Sequence, residues 1–160
     1  MSDAWDPSQY ERFREERQQP FYDLLKLVIP KKSMRVLDLG CGTGELTREM
    51  HRHLKAQKTH GIDSSSSMLE RTKELDEPGL SFAQGLLEEA GGEWDLVFSN
   101  AALHWVDDHE AVLARHTATL APGGQLAIQM PANQDHPSHV VANEIATSPE
   151  FRDALGGVGA

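Results

Sequence analysis

Val36-Leu37-Asp38-Leu39-Gly40-Cys41-Gly42-Thr43-Gly44 is the stretch whose reading decides the fold. An apolar run holding one acid ends in three glycines at alternate positions, and a helical pattern begins at Glu45. A buried strand, a tight turn and a helix start, in that order, form the place where α/β proteins hold nucleotide-like ligands. Glycine suits the turn because it accepts unusual dihedrals and places no Cβ between backbone and ligand. The spacing is G-x-G-x-G. The pyrophosphate fingerprint G-x-G-x-x-G would need its third glycine at Glu45, so the motif leans away from NAD and FAD.

Working outward, Arg35–Leu39 is the first strand, and the helix after the turn carries Leu46, Met50 and Leu54 on one face. Upstream, Ser8 caps a first helix and Pro20 opens a second. In that second helix Phe21, Leu24, Leu25 and Val28 recur at i, i+3, i+4, i+7, and Pro30 ends it. Downstream, Thr59–Ile62 is a second strand closed by Asp63. Ser67-x-x-Glu70 reads as a capping box for a helix through Leu75. Leu80–Ala83 and Asp95–Ser99 are the third and fourth strands, with an acidic loop over Glu88–Glu93 between them. Asp107 or Asp108 caps a helix to Leu120. Pro122-Gly123-Gly124 turns the chain into a fifth strand, Gln125–Met130, and Ser138 caps a last helix through Ile145. This alternation predicts an α/β fold with a parallel sheet in the order 3-2-1-4-5 and helices on both faces. Ligands in such sheets sit at the carboxyl ends of the strands.

At 160 residues the chain is expected to be one domain. Its net charge is −10, from 15 basic and 25 acidic residues, and no basic cluster exceeds Lys31-Lys32, which disfavours nucleic acid as partner. No run approaches the ~20 apolar residues of a membrane span, and Met1–Asp6 lacks the character of a signal peptide. The single cysteine excludes an internal disulfide, so a cytoplasmic location is expected.

Several residues invite a chemical reading. Asp63 can accept both hydroxyls of a ribose, or serve only as a helix cap. Asp38, an acid inside an apolar strand, needs a partner, either turn amides or a ligand ammonium. Cys41 reads as a small turn residue rather than a nucleophile. His51 and His53 stand at i, i+2 on a helix and cannot converge on a metal, and His136 and His139 lack a third ligand, so no metal is expected. His104-Trp105 overlooks the ligand end of the fourth strand, where it orients a substrate carboxylate or packs as a surface pair. Tyr10, Arg14 and Arg17 read by themselves as a solvated helix face.

The glycine turn, with Gly61-Ile62-Asp63-Ser64, Phe98-Ser99-Asn100 and Leu120-Ala121-Pro122-Gly123-Gly124, resembles the class I S-adenosylmethionine-dependent methyltransferases. More narrowly, Trp5–Tyr10, Glu16-Arg17, Asn100–Trp105, Gln129–Asn133 and Pro137-Ser138-His139 resemble the family of trans-aconitate 2-methyltransferases. The resemblance implies S-adenosylmethionine as cofactor and transfer of its methyl to a carboxylate of a small tricarboxylic acid, by in-line displacement and with no acid–base residue. It implies a cofactor site of Asp38, Gly40, Cys41, Gly42, Gly44, Asp63, Ser64, Met68, Leu86, Leu87 and Asn100. Tyr10 and Arg17 become lid and substrate contacts, joined by His104 and Trp105. It further implies a helical lid over residues 1–34 and a Rossmann-like cofactor domain over 35–160, as a monomer or weakly self-associating. Two departures stand out. Gly85-Leu86-Leu87 replaces a Gly-Asp-Ile type of loop whose acid reads the adenine. Family members also continue well past Ala160, so further sheet strands are expected to be missing. A different small-acid methyltransferase, or a cofactor-binding module without turnover, are the alternatives.

Overall fold

The computed structural model describes residues 14–75, 77–132 and 135–152. The glycine turn sits at the middle of a five-stranded parallel sheet. Its strands are β1 (Arg35–Leu39), β2 (Lys58–Asp63), β3 (Leu80–Gln84), β4 (Trp94–Asn100) and β5 (Leu120–Gln129), ordered 3-2-1-4-5 as expected. Alternation along β1 sends side chains to opposite faces. Val36 joins a core formed with Phe21, Leu24, Leu25 and Val28 of α1 (Arg14–Leu27), Met50 and Leu54 of α2 (Glu45–Leu54), and Phe98 of β4. Leu37 and Leu39 join Ile62, Trp94 and Val97 on the other face. A third cluster of Leu103, Val106 and Val112 lies under α4 (His109–Ala118).

Five local expectations are corrected. Pro20 does not begin a helix but lies inside α1. The missing hydrogen bond is tolerated because the stripe from Phe21 to Val28 is buried in the core. The helix after β2 is capped at Ser65, not Ser67: Ser65 Oγ accepts from the Met68 N–H at 3.3 Å. Only Ser66–Leu69 (α3) is α-helical, and Glu70–Glu74 tightens into a 3₁₀ turn. Strand β5 begins at Leu120 rather than Gln125. Trp94 pairs with Leu120 and Leu96 with Gln125, so Pro122-Gly123-Gly124 bulges out of a ladder that has already begun, with Gly123 at φ 70°. His136, not Ser138, caps the helix that follows, because Pro137 takes the first helical position.

The chain divides into two compact units after Met130. The second carries α5 (Pro137–Thr147) and α6 (Pro149–Arg152). Among the described residues no helix is long and apolar enough to cross a membrane.

Candidate functional site

At the carboxyl ends of β1, β2 and β4 lies an open cleft of about 420 Å³. Gly40 and Gly42 floor it, Asp63, Ser64, Ser65 and Met68 form the β2 side, and Leu87, Ala101, Ala102 and Trp105 form the other. Asp63 organises the floor. Its Oδ2 accepts from the Gly42 N–H at 2.8 Å, and its Oδ1 accepts from the Ser65 N–H at 2.9 Å. The carboxylate therefore joins the glycine turn to the start of α3, and each oxygen keeps lone-pair capacity for a donor in the cleft. The cap of α3 is Ser65 itself, so Asp63 does not cap the helix but ties the residue that does to the glycine turn. Gly42 has φ 55°, and a Cβ there would meet nothing within 4 Å, which leaves its backbone open to a ligand.

Of the residues expected to bind cofactor, Gly40, Gly42, Asp63, Ser64, Met68 and Leu87 line the cleft, and Trp105 of the substrate set joins them. The others do not line it. Gly44 packs against Phe82 and Thr72. Cys41 is buried, and burial first, then Asp38 and Asp63, pushes its thiol pKa well up, so it is no nucleophile. Asn100 ends β4 with its Oδ1 buried and unpaired among the described residues. Leu86 is 52% exposed beside the cleft. His104 is exposed and rests against the Trp105 ring at 4.8 Å between centroids. Tyr10 lies outside the described residues, as does the side chain of Arg17, whose backbone belongs to α1.

Among the described residues Asp38 meets neither turn amides nor an open ligand face. It is 4% exposed and accepts from Thr47 Oγ1 of α2 at 2.5 Å. Burial raises its pKa to about 6, against the Thr47 bond, which lowers it; the nearby Asp63 charge adds to the rise. Between pH 4 and 6 the folded state thus holds a proton that the unfolded chain has released. Stability is expected to fall as pH rises through that window, by roughly 3 kcal/mol at most, and then level off. Urea unfolding of wild type and Asp38→Asn at pH 4, 5, 6 and 7 checks this, since the amide should remove the slope.

Ser65, Ala101 and Ala102 were missed by sequence reasoning. Ser65 sits in a run of four serines, and only the cap geometry picks it out. Ala101 adopts φ 53°, a left-handed conformation rare outside glycine, at the lip of the cleft. Such strain leaves no sign in an alanine.

Comparison with known proteins places this geometry. A family model described as "Methyltransferase domain" matches residues 10–153. The chain is 44% identical over 154 residues to a trans-aconitate 2-methyltransferase of Deinococcus radiodurans, covering 96% of this chain and 59% of that protein. It is 40% identical over 156 residues to one of Paracidovorax citrulli, covering 95% and 60%. The chain thus spans about three fifths of these relatives' length. A solved S-adenosylmethionine-dependent methyltransferase from Mesorhizobium loti superposes with a TM-score of 0.61 at 29% identity, covering 69% of this chain and 51% of that one. The methyltransferase bound to the Trm112 activator of Haloferax volcanii shares the fold, with a TM-score of 0.69 at 21% identity, covering 92% and 72%. With a 3-2-1-4-5 parallel sheet and a ligand cleft over its glycine turn, the chain belongs to the methyltransferase domain family, in the class I, Rossmann-like fold.

Proposed function

We propose that the cleft binds S-adenosylmethionine and that the protein directs methylation of a carboxylate of a small tricarboxylic acid such as trans-aconitate. The substrate rests on one observation: relatives 38–44% identical over nearly all of this chain carry the name trans-aconitate 2-methyltransferase. The cofactor rests on the cleft. Gly42 leaves its backbone open to a ligand, Asp63 has spare acceptor capacity for a ribose, and Met68 and Leu87 offer apolar walls to a base. The unpaired Asn100 Oδ1 suits a ligand donor.

S-adenosylmethionine supplies an electrophilic methyl group when bound. A carboxylate with a pKa near ~4 is already ionised at neutral pH and needs no general base. The protein's contribution is then placement: Asp63 and the glycine turn hold one partner, and Trp105, His104, Tyr10 and Arg17 orient the other. Residues 1–34 are read as a lid whose α1 half is anchored in the core. A polyanion approaching a chain of net charge −10 needs a local cation, and Arg17 is assigned that role. A reducing cytoplasm suits the lone buried cysteine, and β5, one of the two outer strands of the sheet, is the edge through which weak self-association would run.

Incubation with trans-aconitate and S-adenosylmethionine labelled in its methyl group is expected to give a base-labile labelled ester. Arg17→Ala is expected to raise KM for the acid about tenfold or more, without changing affinity for S-adenosylhomocysteine. Calorimetric binding of S-adenosylhomocysteine without methyl transfer to any of a panel of small acids would reduce the protein to a cofactor-binding module. Absence of binding would remove the cofactor reading as well.

A further inference from the structure

Helix α4 carries two histidines seven residues apart, His109 and His116, on one helix face two turns apart. Neither lines the cleft, yet each reaches a loop that does. His109 Nε2 lies 2.8 Å from the Leu103 carbonyl oxygen, and His116 Nε2 lies 2.8 Å from the Leu87 carbonyl oxygen. A carbonyl can only accept, so both rings donate from Nε2–H and both are fixed in that tautomer. Leu87 lines the cleft on the loop after β3. Leu103 opens the 3₁₀ turn that presents Trp105, between two residues, Ala102 and Trp105, that also line it.

The His116 bond is retained at a cost. The ring is 1% exposed, and its Nδ1 is buried with no hydrogen-bond partner among the described residues. Burial lowers its pKa and keeps it neutral; the Leu87 bond opposes that shift, and Arg115 and Glu88 act on it more weakly in opposite directions. An apolar side chain of similar size would fill the space without an orphaned nitrogen. What imidazole adds is a directional bond to one chosen carbonyl. Between the two histidines, Val112 packs in the cluster of Leu103 and Val106 against which Leu87 rests. Apolar contact holds the helix near both loops, and the two donors fix where each backbone sits.

We propose that His109 and His116 are positioning residues, and that α4 is a splint whose two Nε2–H donors hold the Trp105 turn and the Leu87 loop at the spacing the cofactor cleft requires. This deepens the reading of the cleft as an S-adenosylmethionine site and rests on it for its functional consequence. The mechanical part stands on the two hydrogen bonds alone.

The test begins without ligand. Amide hydrogen exchange is read at Glu89, whose N–H bonds Leu86 O, and at Val106, whose N–H bonds Leu103 O. His116→Leu is expected to speed exchange at Glu89 about tenfold or more while Val106 and strand β1 stay protected. His109→Leu is expected to do the converse. His116→Gln and His109→Gln, which place an amide N–H near the same position, are expected to restore most of the protection. S-adenosylhomocysteine titrated into the same proteins should bind about tenfold more weakly to each Leu variant and near wild-type strength to each Gln variant. Unchanged exchange at both loops, or an even rise throughout the chain, overturns the splint. If wild type binds S-adenosylhomocysteine and the Leu variants bind it equally well, the positioning role is overturned even where the loops loosen. If wild type fails to bind, the cofactor reading falls and the exchange data still decide the mechanical claim.

Discussion

Asp63→Ala is expected to weaken S-adenosylhomocysteine binding at least about a hundredfold, the largest loss from any single side chain of the cleft. The carboxylate accepts from Gly42 N–H and from Ser65 N–H, so its removal frees both the glycine turn and the first turn of α3. Hydrogen bonds to a charged group contribute about 1.5–3 kcal/mol each, and two such bonds together correspond to a factor of roughly 10² to 10⁴ if the loosened turns must be reordered by the ligand. Loss of the proposed ribose contact would add to this. Asp63→Asn separates the effects. An amide oxygen can still accept from one N–H but its NH₂ must face the other donor, so an intermediate loss of about tenfold or more is expected. Calorimetry with S-adenosylhomocysteine measures both. Wild-type affinity in Asp63→Ala would mean that Asp63 only ties the glycine turn to Ser65 and makes no contact with the ligand.

Gly40→Ala is expected to cost about 2–5 kcal/mol of stability. Gly40 has φ 81°, and a Cβ would lie 2.2 Å from the Cβ of Ala102. The left-handed conformation costs an ordinary residue roughly 1–2 kcal/mol. The clash forces the β1 and β4 turns apart, and overpacking of that kind costs typically 1–3 kcal/mol. Gly42→Ala is the informative partner. Its φ is 55° but a Cβ there enters open space, so only the conformational cost of about 1–2 kcal/mol is expected. Its effect should appear instead in ligand binding, because the methyl projects from the floor of the cleft. Urea denaturation should therefore show the larger loss for Gly40→Ala, and calorimetry should show Gly42→Ala losing affinity out of proportion to its small stability cost. If Gly42→Ala bound S-adenosylhomocysteine as well as wild type, the ligand would not approach the turn at that point.

Much of this was legible in the chain itself, for local reasons. The apolar run from Arg35 to Leu39, the glycines after it and the apolar stripe from Phe21 to Val28 each state their own secondary structure, and the alternation of strands and helices leaves little freedom in sheet order. Boundaries were less legible where tertiary contacts decide them. Pro20 reads as a helix start, but the buried stripe that follows it carries α1 through. Pro122-Gly123-Gly124 reads as a turn ahead of a strand, but pairing to β4 begins before it. Ser67 satisfies a capping pattern, yet the Asp63–Ser65 bond starts the helix two residues earlier.

The site divides along the same line. The identity of its floor follows from sequence alone, because glycine at alternate positions and an acid after the second strand are chemical requirements that few other residues meet. Which side chains face the cleft depended on the tertiary structure. Asp38 and Asp63 look alike as acids near strand ends, but pleating turns Asp38 under α2 to meet Thr47, while Asp63 stands at the rim with both oxygens engaged. The His116–Leu87 bond joins residues 29 apart in sequence, and no local pattern encodes it. Sequence sets what each segment is, since propensity and patterning act over a few residues. Only folding sets which backbone carbonyl a buried donor will find, because that distance exists only once the helix has docked on the sheet.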